Sequence, residues 1–455
     1  MASTKLTRTH GTATNTKKYT WSAWVKRSID GTQETLVTTR TDDNNYSRIR
    51  FDGNAPLQFE DRFSSNTVTN LISTELFRDL SAWYHVVVRI DYTQASASDR
   101  ARMYVNGSEV SYSTSTRQSQ DGDSYFNSAN LHSLGTYNNN NYFGGAMTHV
   151  HFCDGQSYGP DTFGETDATT GEWKIKTAPS VTYGNNGYFV LKDNLGVTDQ
   201  SGNSNNFTVA GGTLTNLQDC PSNNFATFNH LNYYGGTFPT FSNGNTSIRA
   251  NGNGNYGEAI STLAMPKSGK FYAEFKRFAN DSTFAVGVGD MVLITDALRS
   301  NTQIFATGFT GNCSVRVDGS LMRTGQEFSG YFASGIGNGD IVGIAMDLDN
   351  GAFYAHKNGT YGVVSSVTGV PTSGSSKTGA VDLSGDSWWT ASEDICFHFG
   401  STSGGGWDGC DANFGNGYFG TTAISSEGTN ASGIGKFEYD VPAGYTALST
   451  KGLNE

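Results

Sequence analysis

One stretch in the second half of the chain restricts the fold more than any other. Residues 339–359 read GDIVGIAMDLDNGAFYAHKNG. Apolar side chains at every second position after residue 341 predict a strand with one buried face, which ends near Asp349. Asn350-Gly351 then predicts a two-residue type I′ turn, because both central residues of that turn need positive φ. Asn358-Gly359 repeats the signal, so the stretch predicts a meander of short antiparallel strands.

The composition extends this prediction to the whole chain. The 455 residues include 56 Gly but only 8 Pro, and 13% are aromatic. Helical patterns are nearly absent, and the chain is long enough for two or three domains, so we expect an all-β protein whose strands are joined by many tight turns. The formal net charge of −12 repels phosphate backbones, and we therefore expect no nucleic-acid partner.

The sequence also bears on where the protein is made. The first ten residues lack the apolar segment of a secretory signal, and no run approaches the roughly 18 apolar residues of a membrane span. We therefore expect no membrane insertion. Five widely spaced cysteines without a CxxC pair predict reduced thiols and synthesis in a cytoplasm; they are Cys153, Cys220, Cys313, Cys396 and Cys410.

The first third of the chain has the pattern of a sandwich. Residues 19–27 read YTWSAWVKR and alternate apolar with mixed side chains, and residues 82–91 form the most hydrophobic predicted strand of this half. Further strands are predicted at 34–39, 47–51, 101–105 and 146–152. Their order, with Asn106-Gly107 as a turn, indicates two packed antiparallel sheets.

Four motifs of this region resemble a known family. TWSAWVKR, LSAWYHVVVRID, ASDRARMYVNG and FGGAMTHVHFCDGQ occur in this order. Together they resemble the laminin-G/concanavalin-A-like jelly-roll domains found in virion proteins of tailed phages, especially marine, cyanophage-type phages. The resemblance covers residues 1–165 and implies a jelly roll there. Residues 166–236 keep recurring aromatics, so we expect an ordered, β-rich connector.

The last part of the chain resembles a second family. GKFYAEFKR, FAVGVGD, the stretch at 339–359 and FHFG resemble the SPRY domain, a β-sandwich that serves as a protein-interaction module. The endings ANFGNGYFG and PAGYTAL resemble those of phage proteins with the same pair of domains. We therefore expect a SPRY-like sandwich with a C-terminal extension at 237–455. Insertions at 372–379 and 404–417 depart from the family, so its ligand face is not carried over.

Catalysis finds little support in the sequence. The jelly-roll fold also carries β-glucanases, which place acids in a Glu-x-Asp-x-x-Glu strand. Glu165-Thr166-Asp167 begins this pattern, but Thr170 stands where the second Glu is needed, and Glu172 comes two residues late. The sequential acids Glu60-Asp61 and Glu393-Asp394 are expected at the surface. We predict that the protein is not an enzyme, with glycan cleavage as a less favoured alternative.

Metal sites are equally incomplete. His149, His151 and Cys153 share one predicted strand face, but no fourth ligand is identifiable, and a half-buried sheet face explains them. Asp121-Gly-Asp123 and Asp347-Leu-Asp349 resemble fragments of calcium loops, but neither continues to the closing Glu of an EF-hand. We expect no cofactor; calcium at Asp121 and Asp123 stays an open alternative.

A few aromatic residues are candidates for a binding platform. Trp388 and Trp389 are adjacent on a predicted strand, so one ring should point outward. Together with Trp407 and Tyr142-Phe143, which lie on Gly/Asn-rich loops, they could stack on sugar rings. The alternative is that these rings only anchor long loops.

These observations predict two antiparallel β-sandwiches joined by an ordered connector. With the family resemblance, they predict a non-catalytic structural protein on a phage virion, made in the host bacterial cytoplasm. We expect a tail-fibre or knob protein for adsorption that binds a host-surface glycan or protein, with a capsid decoration or head-fibre protein as the alternative. Other virion proteins are expected partners, and a homo-oligomer would let many weak contacts add up.

Overall fold

Strands account for 44% of the chain and helices for 7%, which confirms the predicted all-β fold class. The computed structural model describes residues 3–192, 194–233, 239–250, 257–278, 283–304, 308–401 and 408–454. The chain divides into two compact units, Met1–Asn216 and Leu217–Glu455. This boundary lies within the segment predicted as the connector; the predicted domain limits at 165 and 236 stay a prediction.

Helices are short in the described part of the chain. The α-helices are α1 (Ala97–Arg100), α2 (Met291–Arg299) and α3 (Ser387–Ala391), and single 3₁₀ turns lie at Pro160–Thr162, Pro371–Ser376 and Gly452–Asn454. None of the described helices is long and apolar enough to cross a bilayer.

The first unit contains sixteen strands, numbered in chain order. They are β1 (Lys5–Thr9), β2 (Lys18–Lys26), β3 (Glu34–Asp42), β4 (Asn45–Phe51), β5 (Pro56–Phe63), β6 (Asn66–Leu76), β7 (Trp83–Asp91), β8 (Ala101–Val105), β9 (Ser108–Glu109), β10 (Tyr112–Thr116), β11 (Leu131–Leu134), β12 (Ala146–Asp154), β13 (Gly164–Thr166), β14 (Trp173–Ile175), β15 (Tyr188–Val190) and β16 (Thr208–Gly211).

Two antiparallel sheets of the first unit enclose one core. The larger has eight strands in the order β10-β6-β5-β4-β3-β11-β1-β16, and the smaller has six in the order β15-β12-β2-β7-β8-β9. Alternate side chains of both sheets meet between them: Ile49 and Phe59 come from the larger sheet, and Trp21, Val86 and Phe152 from the smaller. This is the predicted sandwich. β13 and β14 form a separate hairpin.

The second unit contains twenty strands. They are β17 (Phe228–Tyr233), β18 (Thr240–Ser242), β19 (Ser247–Arg249), β20 (Gly257–Ser261), β21 (Lys270–Phe278), β22 (Ala285–Asp290), β23 (Asn312–Arg316), β24 (Leu321–Arg323), β25 (Gln326–Phe328), β26 (Ile341–Asp347), β27 (Ala352–Lys357), β28 (Thr360–Tyr361), β29 (Val363–Val364), β30 (Val367–Thr368), β31 (Val381–Asp382), β32 (Ile395–Ser401), β33 (Gly409–Asn413), β34 (Tyr418–Phe419), β35 (Thr422–Ala423) and β36 (Thr446–Ala447).

These strands form a second sandwich. A seven-stranded sheet has the order β17-β20-β32-β22-β23-β24-β25, and a nine-stranded sheet is built on β18-β19-β33-β21-β26-β27-β28, with β31 beside β27 and β36 beside β21. Phe275 and Ile344 of the larger sheet meet Val286 and Phe397 of the smaller in one core. The predicted insertion at 404–417 contributes β33, which pairs with β21 near the middle of its sheet.

The asparagine-glycine turns differ from one another. Asn358-Gly359 is the predicted two-residue turn: both φ angles are positive, 50° and 83°, and Lys357 pairs with Thr360. Asn350-Gly351 is not, and that prediction is wrong. The strand ends at Asp347, which pairs with Ala352 across a four-residue loop, and only Gly351 has positive φ there. The Asp347 carboxylate fixes this wider loop by accepting hydrogen bonds from the backbone N and Nδ2 of Asn350 at 3.1 and 2.9 Å.

A hydrogen-bond relay crosses strand β26 on the outer face of the nine-stranded sheet. Glu274, Gly343 and His356 lie side by side on three neighbouring strands. The backbone N of Gly359 donates to Nδ1 of His356, so the ring proton is on Nε2, which lies 2.7 Å from the Tyr272 hydroxyl. That hydroxyl donates to Oε1 of Glu274 at 3.1 Å. The relay passes over Gly343, which has no side chain to block it.

Glu274 ties the C-terminal segment to the same sheet face. Its carboxylate accepts the backbone N–H groups of Glu438 and Tyr439 at 2.9 and 2.8 Å, and Nδ2 of Asn413 at 3.3 Å. Burial raises the pKa of Glu274 to about 7, although these donors act in the opposite direction. The outer face of this sheet is therefore buried beneath the chain that follows residue 425.

Replacement of Gly343 by alanine tests the relay. A Cβ at this position would lie 2.0 Å from Nε2 of His356 and 2.5 Å from the Tyr272 hydroxyl. We expect Gly343→Ala to lower the free energy of unfolding of the second unit by about 2 to 4 kcal/mol, measured by urea denaturation. Gly385→Ala is the matched control, because its Cβ would meet nothing within 4 Å, and it should change stability by less than about 0.5 kcal/mol. Equal effects of the two substitutions would contradict this role of Gly343.

Candidate functional site

The outer face of the eight-stranded sheet carries a connected set of tyrosine, arginine and glutamate side chains. Successive side chains of β4 and β5 point to opposite faces of the sheet, so Ile49 and Phe59 enter the core while Tyr46 and Arg48 point away from it. On β5 the outward residues opposite them are Arg62 and Glu60.

Tyr46, Arg48, Glu60 and Arg62, together with Arg40 of β3 and Tyr137 of the loop after β11, make up what we call the tyrosine–arginine face.

A charged pair forms the centre of the tyrosine–arginine face. Nε and Nη2 of Arg48 donate to Oε2 of Glu60 at 3.0 and 2.8 Å, and the Tyr46 hydroxyl donates to Oε1 at 2.8 Å. Burial, followed by the hydrogen bond to Glu60, raises the pKa of Tyr46, so the phenol stays protonated and remains a donor. Both charged side chains are only 12% exposed. Their rotamers are therefore fixed before any ligand arrives.

Aromatic rings flank the charged pair. The Arg48 guanidinium carbon lies 5.1 Å from the ring centre of Tyr46 and 4.6 Å from that of Tyr137. The two rings are 5.4 Å apart and nearly perpendicular. Arg40 also approaches Tyr137, at 5.6 Å, and its Nη1 donates to Oδ1 of Asn138 at 3.2 Å. Arginine stacked on tyrosine in this way holds flat surfaces in place at the rim of the sheet.

A row of planar polar groups continues the surface across three strands. Nε of Arg50 donates to Oε1 of Gln58 at 2.8 Å, and Nε2 of Gln58 donates to Oδ1 of Asn70 at 2.8 Å. Side chains that form such a row bury one another's edges and keep donors and acceptors in fixed positions. The Arg62 side chain is half-buried and makes no hydrogen bond or ion pair with any described residue, and its Nε is buried.

The face supplies binding groups but not a pair of catalytic acids. Strands β4 and β5 contain two acidic residues, and they point to opposite faces. Glu60 is held by Arg48, whereas Asp61 is fully buried and accepts hydrogen bonds from Ser47, Ser124 and Tyr125 at 2.5, 2.6 and 3.1 Å. Burial raises the pKa of Asp61. The expectation that Asp61 lies at the surface is wrong, because the buried polar groups around it require an acceptor.

The predicted tryptophan platform has a different structure from the one expected. Trp388 and Trp389 lie on helix α3 rather than on a strand, and both are buried in the core of the second unit, at 3% and 7% exposure. The strand prediction is wrong because consecutive helical residues point about 100° apart, so both rings can enter one core. Neither ring presents an exposed flat face. Trp407 lies outside the described residues.

The predicted loop residues Tyr142 and Phe143 differ in how deeply they are buried. Phe143 is buried in the core of the first unit, and Tyr142 is half-buried. Their loop also carries Tyr137, which the sequence did not single out and which lies against Arg48. A signal for the face exists in the sequence: NYSRIRF and QFEDRF alternate core residues with tyrosine and arginine on two successive strands.

The glucanase-like acids form an exposed cluster of ion pairs. Glu165 pairs with Lys174 at 3.5 Å, and Asp167 accepts the backbone N–H groups of Thr169 and Thr170. These backbone bonds lower the pKa of Asp167 to about 2, as expected for a turn residue. Glu172 is exposed on the same turn.

The candidate metal ligands are not assembled into a site in the described parts of the chain, where no group of three or more His, Cys, Asp or Glu could hold an ion. His149 has a φ of 49° at a bulge, and His151 and Cys153 are buried. Asp123 accepts a hydrogen bond from Thr16 at 2.6 Å, and the backbone oxygen of Asp121 accepts one from Lys17 at 2.5 Å.

Comparisons with known proteins concern both units. Residues 2–156, about a third of the chain, match a family model described as the concanavalin A-like lectin/glucanases superfamily. No curated protein matches the chain. Among solved structures, the SPRY domain of human HERC1 is 13% identical, with a TM-score of 0.29, and the match covers 41% of this chain and 96% of that domain.

Two further structures are similar at the same low level. Domains LG4-5 of the mouse laminin alpha1 chain are 10% identical, with a TM-score of 0.29 and coverage of 98% of this chain and 84% of theirs. The heptameric SAP-like pentraxin from Limulus polyphemus is 10% identical, with a TM-score of 0.26 and coverage of 40% and 95%. Residues 2–156 are thus similar to the concanavalin A-like lectins and glucanases, a fold that fits a binding role.

Proposed function

We propose that this chain is a non-catalytic binding protein on the surface of a tailed-phage virion, where it contacts a host-surface glycan or protein. The observation that carries the proposal is the tyrosine–arginine face, in which fixed planar donors and acceptors lie beside aromatic rings. Recognition of a sugar or a protein loop uses this combination, since hydroxyl and amide groups need aligned partners and apolar ring faces need flat surfaces. The assignment to a virion rests on the resemblance of the sequence motifs to those of phage virion proteins.

The tyrosine–arginine face is suited to binding without large rearrangement. Glu60 holds both Arg48 and Tyr46, so a ligand that meets this surface does not have to order these side chains. Arg62 supplies an unpaired donor group, and Asn138, Asn139 and Asn140 are exposed beside Tyr137. One such face gives a weak contact, and display of many copies on one particle would raise the overall affinity.

The first experiment measures binding to host cells. Purified full-length protein, fluorescently labelled, is incubated with host cells, and the apparent Kd is determined by flow cytometry alongside a glycan array. We expect Tyr137→Ala and Arg62→Ala each to weaken binding at least about 10-fold, because each removes a contact group rather than a core residue. Arg102→Ala is the control. Arg102 lies on strand β8 of the six-stranded sheet and forms ion pairs with Asp99 and Glu109. If Tyr137→Ala and Arg62→Ala both bind like the wild type, the tyrosine–arginine face is not the binding surface.

The second experiment locates the protein on the particle. Cryo-electron microscopy of intact virions should place it at the tail, in the copy number of a fibre or knob, if it serves adsorption. Density over the capsomers, together with absence of cell binding, would replace adsorption by the decoration role. An assay for reducing ends on host polysaccharide should detect no release; activity lost in Glu165→Gln would instead establish a glycan-cleaving enzyme.

A further inference from the structure

The outer face of the six-stranded sheet is covered by a later segment of the first unit. Residues 158–183, which include the hairpin β13–β14, run across it. Phe163 of this segment packs on Val87, Tyr104 and Cys153 of the sheet, and Tyr183 joins the same cluster. We call residues 158–183 the cover. All of it lies within the first unit.

Trp173 is the residue by which the cover is anchored. Its indole ring forms the end of a stack in which the His85 ring lies between two tryptophans, 4.9 Å from Trp24 and 5.9 Å from Trp173, with interplanar angles of 17° and 20°. Gly107 and Gly164 flank the indole, and a Cβ at either position would lie 2.6 Å from the ring. The indole therefore fits only because neither flanking residue has a side chain.

The hydrogen bonds of His85 require a neutral ring. Nε1 of Trp173, which can only donate, lies 3.0 Å from Nδ1 of His85, so Nδ1 is the unprotonated acceptor. The single ring proton is then on Nε2, which lies 2.9 Å from the Ser22 hydroxyl. A second proton would have to enter at Nδ1, where it would face the indole N–H. The hydrogen bond from Trp173 and a doubly protonated His85 ring therefore cannot exist at the same time.

A second histidine lies beneath the same cover. His151 is 1% exposed, its Nδ1 lies 3.0 Å from the hydroxyl of Tyr183 in the cover, and its ring stacks on Phe189 at 3.9 Å. The charged groups that act on it are His149, His85 and Lys192, all of which are cationic when charged. On the hairpin itself, Lys174 and Lys176 pair with Glu165, and Lys174 also pairs with Asp167, all at exposed positions.

We propose that the cover is released by acid: it stays seated on the six-stranded sheet while His85 and His151 are neutral, and it leaves the sheet when they take up protons. The face that it uncovers carries Trp24, whose indole N–H is buried without a hydrogen-bond partner among the described residues.

The direction of the effect follows from where the protons bind. Burial lowers the pKa of His85 from 6.5 to about 3 in the covered state, and burial likewise lowers the pKa of His151, helped by His149. Below pH 6.5 the uncovered state binds more protons, so stability of the covered state is lost as the pH falls. For His85 alone, the ratio of uncovered to covered molecules should rise about 25-fold between pH 7 and pH 5.

Hydrogen–deuterium exchange on the full-length protein tests this directly. Protection factors, which correct for the intrinsic pH dependence of exchange, are measured for the cover and for strands β2 and β7 at pH 7 and pH 5. We expect the amides of residues 164–176 to lose protection at least about 25-fold at pH 5, because an isolated two-stranded hairpin is marginally stable in water. The amides of β2 and β7 should keep theirs.

Three variants separate the cover from general acid sensitivity. His85→Gln keeps an acceptor for Trp173 without a titrating ring and should abolish most of the loss at pH 5. Gly164→Ala should unseat the indole and expose the cover already at pH 7. His132→Gln is the control, since His132 is equally buried with a pKa near 3 but stacks on His10 between the sheets and bonds to the Phe126 carbonyl. It should leave the response of the cover unchanged.

The proposal is overturned by any of three results. The cover could stay protected in the wild type at pH 5, or lose protection only together with β2 and β7, which would indicate unfolding of the whole unit. Equal losses in wild type and His85→Gln would show that the histidine does not control the release. If a histidine variant does not fold, the comparison of the wild type at the two pH values and Gly164→Ala at pH 7 still decide the matter.

Discussion

Burial of a sheet on both faces is the constraint on which the other features of both units depend. A strand has polar backbone groups and alternating side chains, so each outward polar group of a sheet covered on both sides costs free energy unless it finds a partner away from water. In the first unit, His85 meets this requirement by bonding to Trp173 and Ser22. In the second, Glu274 does so by accepting donors from the sheet and from the C-terminal segment. The covering segments are therefore attached through specific polar contacts as well as through apolar packing.

The same constraint explains why the outward residues of the two sheets of the first unit find different partners. The outward residues of β4 and β5 satisfy one another along the surface, as Arg48 does with Glu60 and Arg50 with Gln58. These outward residues therefore find their polar partners without a covering segment. On the six-stranded sheet the outward residues include Trp24 and Val87, which cannot pair in this way and are covered instead. Whether a sheet face needs a covering segment thus depends on the outward residues of its strands.

Much of the fold could be predicted from local patterns, because alternation and turn residues act over a few positions. The strands around residues 19–27, 82–91 and 339–359, the sandwich class and the turn at Asn358-Gly359 are of this kind. The wider loop at Asn350 was missed because the Asp347 side chain, three residues earlier, redirects a loop whose dipeptide alone suits a tighter turn. The helix at Trp388 was missed because its cause is not local: Trp389 contacts Lys267, which is distant in sequence and lies 4.7 Å from its ring. The tyrosine–arginine face was missed for a similar reason, since Tyr137 follows Tyr46 by many strands and meets it only after the sheet has formed.

The ends of the second unit meet, and this affects how the protein is made. The backbone N of Asn224 donates to the Thr450 hydroxyl at 3.0 Å across 226 positions, and β36 pairs with β21 in parallel. Contacts between such distant residues form late, because closing a long loop costs entropy before any contact compensates for it. During synthesis the first unit can complete its core as soon as residue 216 has left the ribosome, whereas the second must wait for residues 446–450. Until then the outer face of its nine-stranded sheet lacks the apolar contacts of the C-terminal segment, so the second unit completes its fold only when synthesis reaches these residues.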